Sequence, residues 1–139
     1  MPSKKKTKVK KLTAAIQEAF EQSIQESVAQ LDADLKNGSP VDSGRFRASW
    51  FHLQGTTTPG NAVVPEPEGD AKVPAPDILK PGEINPKLDQ VSYNALPYAS
   101  RLCESGWSKK VPEDWFTTIG NRWESGKYLD EALKDNGIK

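Results

Sequence analysis

The sequence predicts an α+β fold, with a long N-terminal helix and a C-terminal helix packed on a small antiparallel sheet and a long Pro-rich loop. Three observations predict it. A single apolar stripe runs through the first quarter of the chain, and a broad apolar helical face closes it. Between them, two short runs alternate like strands and are separated by a proline-rich stretch.

In the first segment Val9, Leu12, Ile16, Phe20, Ile24, Val28, Leu31 and Leu35 follow at steps of three or four, with polar residues between them. That spacing puts them on one side of an amphipathic helix. Asn37-Gly38 supplies a left-handed stop, and Pro40 prevents resumption. At about 1.5 Å per residue, residues 9–36 would span roughly 40 Å. A helix of that length in so small a protein is expected to lie across a sheet or against a neighbouring copy.

In Ser39–Trp50, Asp42 or Ser43 offers a side-chain oxygen to cap a short helical turn. Gly44 allows the tight approach to that cap. Trp50 to Gln54 reads as a strand, with Phe51 and Leu53 on one face and Trp50, His52 and Gln54 on the other. Residues 56–87 hold seven of the eleven prolines and no helical or strand period. They read as an extended loop or arm, and a neighbouring subunit is the expected support for it. Alternation returns over Leu88–Asn94. Pro97 opens a short helical turn through Ser105 that sets Tyr98 and Leu102 on one face, with Gly106 as its stop. Pro112-Glu113-Asp114 starts the last helix, residues 113–135, with acids at its positive end. Gly120 and Gly126 each weaken that helix by up to ~1 kcal/mol, which places a break near Ser125-Gly126.

With 139 residues the chain forms a single domain, 1–139. Its formal net charge is zero, yet the charge is segregated. Lys4, Lys5, Lys6, Lys8, Lys10 and Lys11 stand in the first eleven residues without an acid, and residues 1–8 read as a basic arm. The rest carries 13 basic and 19 acidic side chains, a net of −6. Such an arm suits DNA or an acidic protein surface, or simply keeps the helix start soluble. No aromatic is interleaved with these lysines, so base stacking is not expected.

Chemistry is hard to find. Cys103 is the one cysteine and reads as a half-buried thiol in a reducing compartment. His52 is the one histidine and has no nucleophile motif nearby. Glu66, Glu68 and Asp70 lie in the loop as solvated acids, without the tight turn a divalent ion needs. No phosphate-cradling glycine pattern occurs. No enzyme, cofactor, metal or small-molecule substrate is therefore expected. No run approaches the ~18–20 apolar residues of a membrane span, and no apolar signal segment follows the lysines. No membrane partner is expected, and the chain is expected to be made in a cytosol.

Two ordered segments resemble a known family. Pro40-Val41-Asp42-Ser43-Gly44-Arg45-Phe46-Arg47-Ala48-Ser49-Trp50 resembles the P-V-D-T-G-x-L-R-x-S signature of the small tail-completion, or head-to-tail joining, proteins of tailed bacteriophages. Tyr98-Ala99, Leu102, Glu104, Gly106, Ser108, Lys110 and Pro112 are similar to that family's Y-A-x-x-L-x-E-x-G-x-S-x-x-x-x-P stretch. Ser43 and Phe46 stand where the family has Thr and Leu, and residues 56–87 are longer and richer in proline than its pattern.

The resemblance implies a structural, non-catalytic subunit of the virion neck. It implies a homo-oligomeric ring, a hexamer or dodecamer, that joins the tail to the connector around the channel for genomic DNA. Its partners would be itself and the neighbouring connector and tail proteins, after synthesis in the host cytoplasm. A tail-terminator or head-stopper ring, and a non-specific nucleic-acid-binding accessory protein using the lysines, are the alternatives. Arg45 and Arg47 are expected to pair with acids such as Glu104, within the subunit or across a boundary. Tyr98 and Trp107 read as interface anchors or ordinary core aromatics.

Overall fold

The computed structural model describes residues 4–104 and 108–138, with side chains from Lys10 onward. Helix α1 spans Lys4–Gly38, α2 Arg45–Ala48, α3 Ala99–Cys103, α4 Trp115–Glu124 and α5 Lys127–Asp135. Strands β1 (Trp50–Gln54) and β2 (Gln90–Asn94) pair antiparallel, with Trp50 opposite Asn94 and His52 opposite Ser92. This is the expected α+β arrangement, with long first and last helical regions around a two-stranded sheet.

Helix α1 begins earlier than its apolar stripe predicts, at Lys4, so the backbone of the expected basic arm forms its first turns. It also ends differently. Gly38 keeps a helical backbone and is absent from the glycines of positive φ. A Cβ there would lie 3.4 Å from Ile119 Cδ1 and 3.5 Å from Trp115 Cε3, ordinary contact distances, so neither backbone conformation nor packing against α4 demands a glycine at this position. The stop comes from Pro40, which lacks an N–H, and from Ser39, whose hydroxyl donates back to the Leu35 carbonyl.

The stripe on α1 divides in two. Val28 and Leu35 are buried and Leu31 packs beside them, whereas Leu12, Ile16 and Phe20 remain 63, 52 and 44% exposed. The C-terminal half lies on the core; the N-terminal half projects from it.

That core is aromatic. Phe46, Trp50 and Trp115 are buried together with Leu35, Leu96, Ala99, Ile119 and Tyr128. Phe46 meets Trp50 and Trp115 edge-on, at 5.8 and 6.1 Å between ring centres, and Phe116 stacks on Trp50. Such pairs add about 0.5–1.5 kcal/mol beyond the area they bury. Both buried indoles are satisfied: Trp50 Nε1 donates to Ser39 Oγ at 2.8 Å and Trp115 Nε1 to the Leu102 carbonyl at 2.9 Å. The break between α4 and α5 falls where expected, with Gly126 at φ 77. Helix α5 returns along α1, where Tyr128 Oη donates to Asp34 and Arg122 lies 4.6 Å over the Tyr128 ring. Burial, then the hydrogen bond to Asp34, pushes the Tyr128 phenol well above its ordinary range.

Residues 55–89 form a strap that is held at several points by its own chain. Gly55 N–H donates to the Asp89 carbonyl at the base. Val64 N–H reaches Ser49 Oγ at 3.1 Å, and Val73 N–H reaches the Ser43 carbonyl at 2.7 Å. Gly60 lies against the Tyr93 hydroxyl, on the side of the sheet away from the helices. Ile84, 2% exposed, plugs a second apolar cluster with Val28 and Ala29. The prolines suit this path because each removes a backbone donor that would otherwise need a partner.

One further anchor is ionic and buried. Asp32 is 2% exposed and accepts hydrogen bonds from Lys36 Nζ and from the Leu79 amide, each at 2.8 Å. Lys36 Nζ donates also to the Asp77 carbonyl at 2.8 Å. One buried pair on α1 thus holds both sides of residue 78. Asp32→Ala is expected to cost about 3–5 kcal/mol, because it leaves a buried ammonium uncompensated. Denaturant melts check the loss, and hydrogen exchange should accelerate first at Leu79.

Candidate interaction site

The two motif segments are more than forty residues apart in sequence, and the fold brings them together. Pro40, Val41, Asp42, Ser43, Gly44 and Phe46 from the first, with Tyr98, Leu102, Ser108 and Lys110 from the second, line one cavity of about 410 Å³. Helix α2 supplies one wall, because Phe46 must turn into the aromatic core. Asn94 of β2 secures that wall by donating its side-chain amide to the Phe46 carbonyl at 2.8 Å. Helix α3 supplies the other, with Ala99 buried beneath it and Tyr98 37% exposed at the rim. Lys110 bridges the two: its Nζ donates to the Val41 carbonyl at 2.8 Å and lies 3.7 Å from an Asp42 carboxylate oxygen. Both side chains of that ion pair are well exposed, so it contributes little energy.

Gly44 carries the local geometry. Its φ is 91, and it occupies the N-cap of α2 that Asp42 or Ser43 was expected to fill. Ser43 Oγ instead accepts the Arg45 amide at 3.2 Å, while Asp42 is exposed and makes no cap. A Cβ at position 44 would collide with the Val73 carbonyl oxygen. The glycine of the motif is therefore required twice, by its own backbone and by the strap crossing over it.

The arginines behave differently from expectation. Arg45 Nε donates to the Val64 carbonyl at 2.7 Å, so it grips the strap and not Glu104. No ion pair joins Arg45 or Arg47 to an acid among the described residues, and Arg47 Nε is buried without a hydrogen-bond partner. Glu104 is exposed at the end of α3, where its own amide caps the Ser100 and Arg101 carbonyls. Pro112 is exposed and its carbonyl accepts the Trp115 amide at 3.2 Å, three residues before α4 starts. Trp50 belongs to the core rather than to the cavity. Gly106 and Trp107 lie outside the described residues, as do the side chains of Lys4, Lys5, Lys6 and Lys8; Lys10 and Lys11 are exposed.

His52 is held within the sheet: Nδ1 lies 2.9 Å from Ser92 Oγ, and Nε2 meets Gln90 Oε1. Burial pushes the Cys103 thiol up to about 11, so it stays protonated at neutral pH. Among the described residues no cluster of three or more His, Cys, Asp or Glu side chains is placed to hold a metal ion. No described helix is long and apolar enough to cross a membrane. The cavity offers an apolar floor with a polar, mixed-charge rim, which is the chemistry of a docking recess.

Sequence reasoning found both walls of this recess but missed Ser39 and the Asp32–Lys36 pair. The four-residue spacing of the latter was visible, although it equally describes an exposed helix pair. Comparison with protein-family models, curated proteins and solved structures finds no match for the chain. Gly44→Ala is expected to lower stability by at least ~1–2 kcal/mol from backbone strain alone. Thermal melts of the variant should show the loss, and Gly55→Ala, whose Cβ would meet open space, should show strain without the clash.

Proposed function

We propose that this chain is a structural subunit of a tailed-phage virion that forms a ring at the head–tail junction and joins the tail to the connector. The observation that carries this reading is the convergence of the two motif segments on one recess. Residues that share a signature without sharing a reaction need another reason to occur together. A common docking surface is such a reason, and Pro40, Asp42, Gly44, Tyr98 and Lys110 all line it. An acidic remainder of the chain, net −6, would repel DNA from the wall of a channel and let it slide.

In purified virions the chain should occur in a fixed, symmetric copy number by mass measurement and electron microscopy; its absence would end the proposal. Tyr98→Asp, at the exposed rim, should leave the melting temperature nearly unchanged and reduce incorporation into virions at least about tenfold. Normal incorporation of that variant would remove the recess from the docking surface.

One observation favours a second function. Lys10 and Lys11 are exposed on a projecting helix whose first turns carry four more lysines. Non-specific DNA binding through six phosphate contacts should give log K falling against log salt with a slope near −5. Fluorescence anisotropy with duplex DNA measures it, and a flat response would exclude this function.

A further inference from the structure

The N-terminal half of α1 is unlike the rest of the molecule. Every residue from Lys10 to Glu18 is exposed, so the helix stands clear of the body over this stretch. At 1.5 Å per residue, residues 4–20 project by roughly 25 Å. Leu12, Ile16 and Phe20 recur every four residues and form an apolar ridge along that projection. Lys10 and Lys11 stand beside the ridge at its N-terminal end, and the first acid in the sequence is Glu18.

A complementary surface lies further along the molecule. Between the second half of α1, helix α5 and the strap is a groove of about 410 Å³. Small residues, Ala29, Ala33 and Ala132, give it depth, and Ile78 and Leu79 of the strap supply an apolar side. Ile78 is itself 36% exposed. The rim carries Glu26, Glu131 and Asp135; Glu131 also pairs with Arg122 at 3.0 Å and Glu26 accepts the Asn136 amide at 2.9 Å, which leaves a net acidic edge. An apolar floor with an acidic edge fits an apolar ridge with basic flanks, in the manner of a helix lying in a groove.

We infer that the projecting end of α1 in one copy seats in the acidic-rimmed groove of a second copy. The end cannot reach the groove of its own subunit, because both lie on one continuous helix. Parallel pairing of two projecting ends would set lysines against lysines, whereas the groove sets them against carboxylates. The opposing charges, lysines without an acid on residues 1–11 and a net of −6 on the remainder, also favour a copy of this chain over a polyanion, which the acidic body repels. Because ridge and groove are different surfaces, the contact either closes reciprocally as a two-fold dimer or propagates from copy to copy until a ring closes. Closure into a ring rests on the proposed neck function; the pairing itself does not.

The test uses the full chain in solution. Sedimentation at up to about 100 μM should show assemblies larger than a monomer, weakening as salt rises. Ile16→Asp spoils the ridge, and the double change Glu131→Lys with Asp135→Lys spoils the groove. All three sites are exposed or at a rim, and circular dichroism checks that each variant remains folded. Each variant alone should be at least about tenfold weaker in self-association. Mixed together they should form a one-to-one dimer, since one intact ridge then meets one intact groove. A monomeric wild type, or variants that remain separate on mixing, would overturn the inference. So would an Ile16→Asp chain that keeps its assembly but loses binding to anionic vesicles or duplex DNA. Virions that contain a chain unable to pair in solution would sink this contact alone. Pairing in solution by a chain absent from virions would sink only the neck function.

Discussion

The indole of Trp50 and its hydrogen bond to Ser39 are what the remaining structure depends on. Trp50 is the first residue of β1, and Ser39 is the first residue beyond α1. The bond therefore ties the end of the long helix to the start of the sheet. Ser39 itself is locked by its bond to the Leu35 carbonyl, and the Trp50 ring is clamped between Phe46 and Phe116. A buried indole needs an acceptor for its N–H, and a buried hydroxyl needs partners for both roles. Each satisfies the other, so the core closes without a stranded polar group at its centre.

From that junction the strap acquires its path. Once Phe46 is turned inward, α2 and the residues that flank it present the Ser43 carbonyl, the Arg45 guanidinium and the Ser49 hydroxyl to the strap, which takes all three. The Asp32–Lys36 pair holds it again on α1. A proline-rich segment has few amides to satisfy and loses comparatively little entropy on being ordered, so a handful of directed bonds suffices. The strap in turn builds one wall of the acidic-rimmed groove and constrains Gly44 beside the motif recess. Two candidate interaction surfaces thus depend on a segment with no regular secondary structure of its own.

Charge segregation acquires a spatial meaning in the fold. Lysines at one end of the chain become lysines at the end of a projecting helix, because α1 continues through them. Acids distributed over two helices become a rim, because α5 lies back against α1. The resulting polarity separates a basic, ridge-bearing end from an acidic, grooved body within a single small subunit.

Much of the framework was legible in the sequence because it follows from local rules. The helical period of α1, the alternation in Trp50–Gln54 and Gln90–Asn94, and the break at Gly126 are written in residues a few positions apart. Periodicity could not tell which part of the α1 stripe would be covered: Leu12 and Val28 have the same place in the pattern and opposite environments. Gly38 resembled a left-handed stop, yet it keeps a helical backbone, and Pro40 and Ser39 end the helix. The need for a glycine at position 44 was legible, while its second cause, the Val73 carbonyl, lies on a distant segment of the chain. Motif order predicted two related segments; only the folded chain placed Asp42 and Lys110 on opposite sides of one recess. By itself the sequence determined the elements, their order and the segregation of charge. The tertiary structure decided the strap's path, the partners of Arg45 and Asp32, and which apolar faces remain open, because those depend on contacts between residues far apart in the chain.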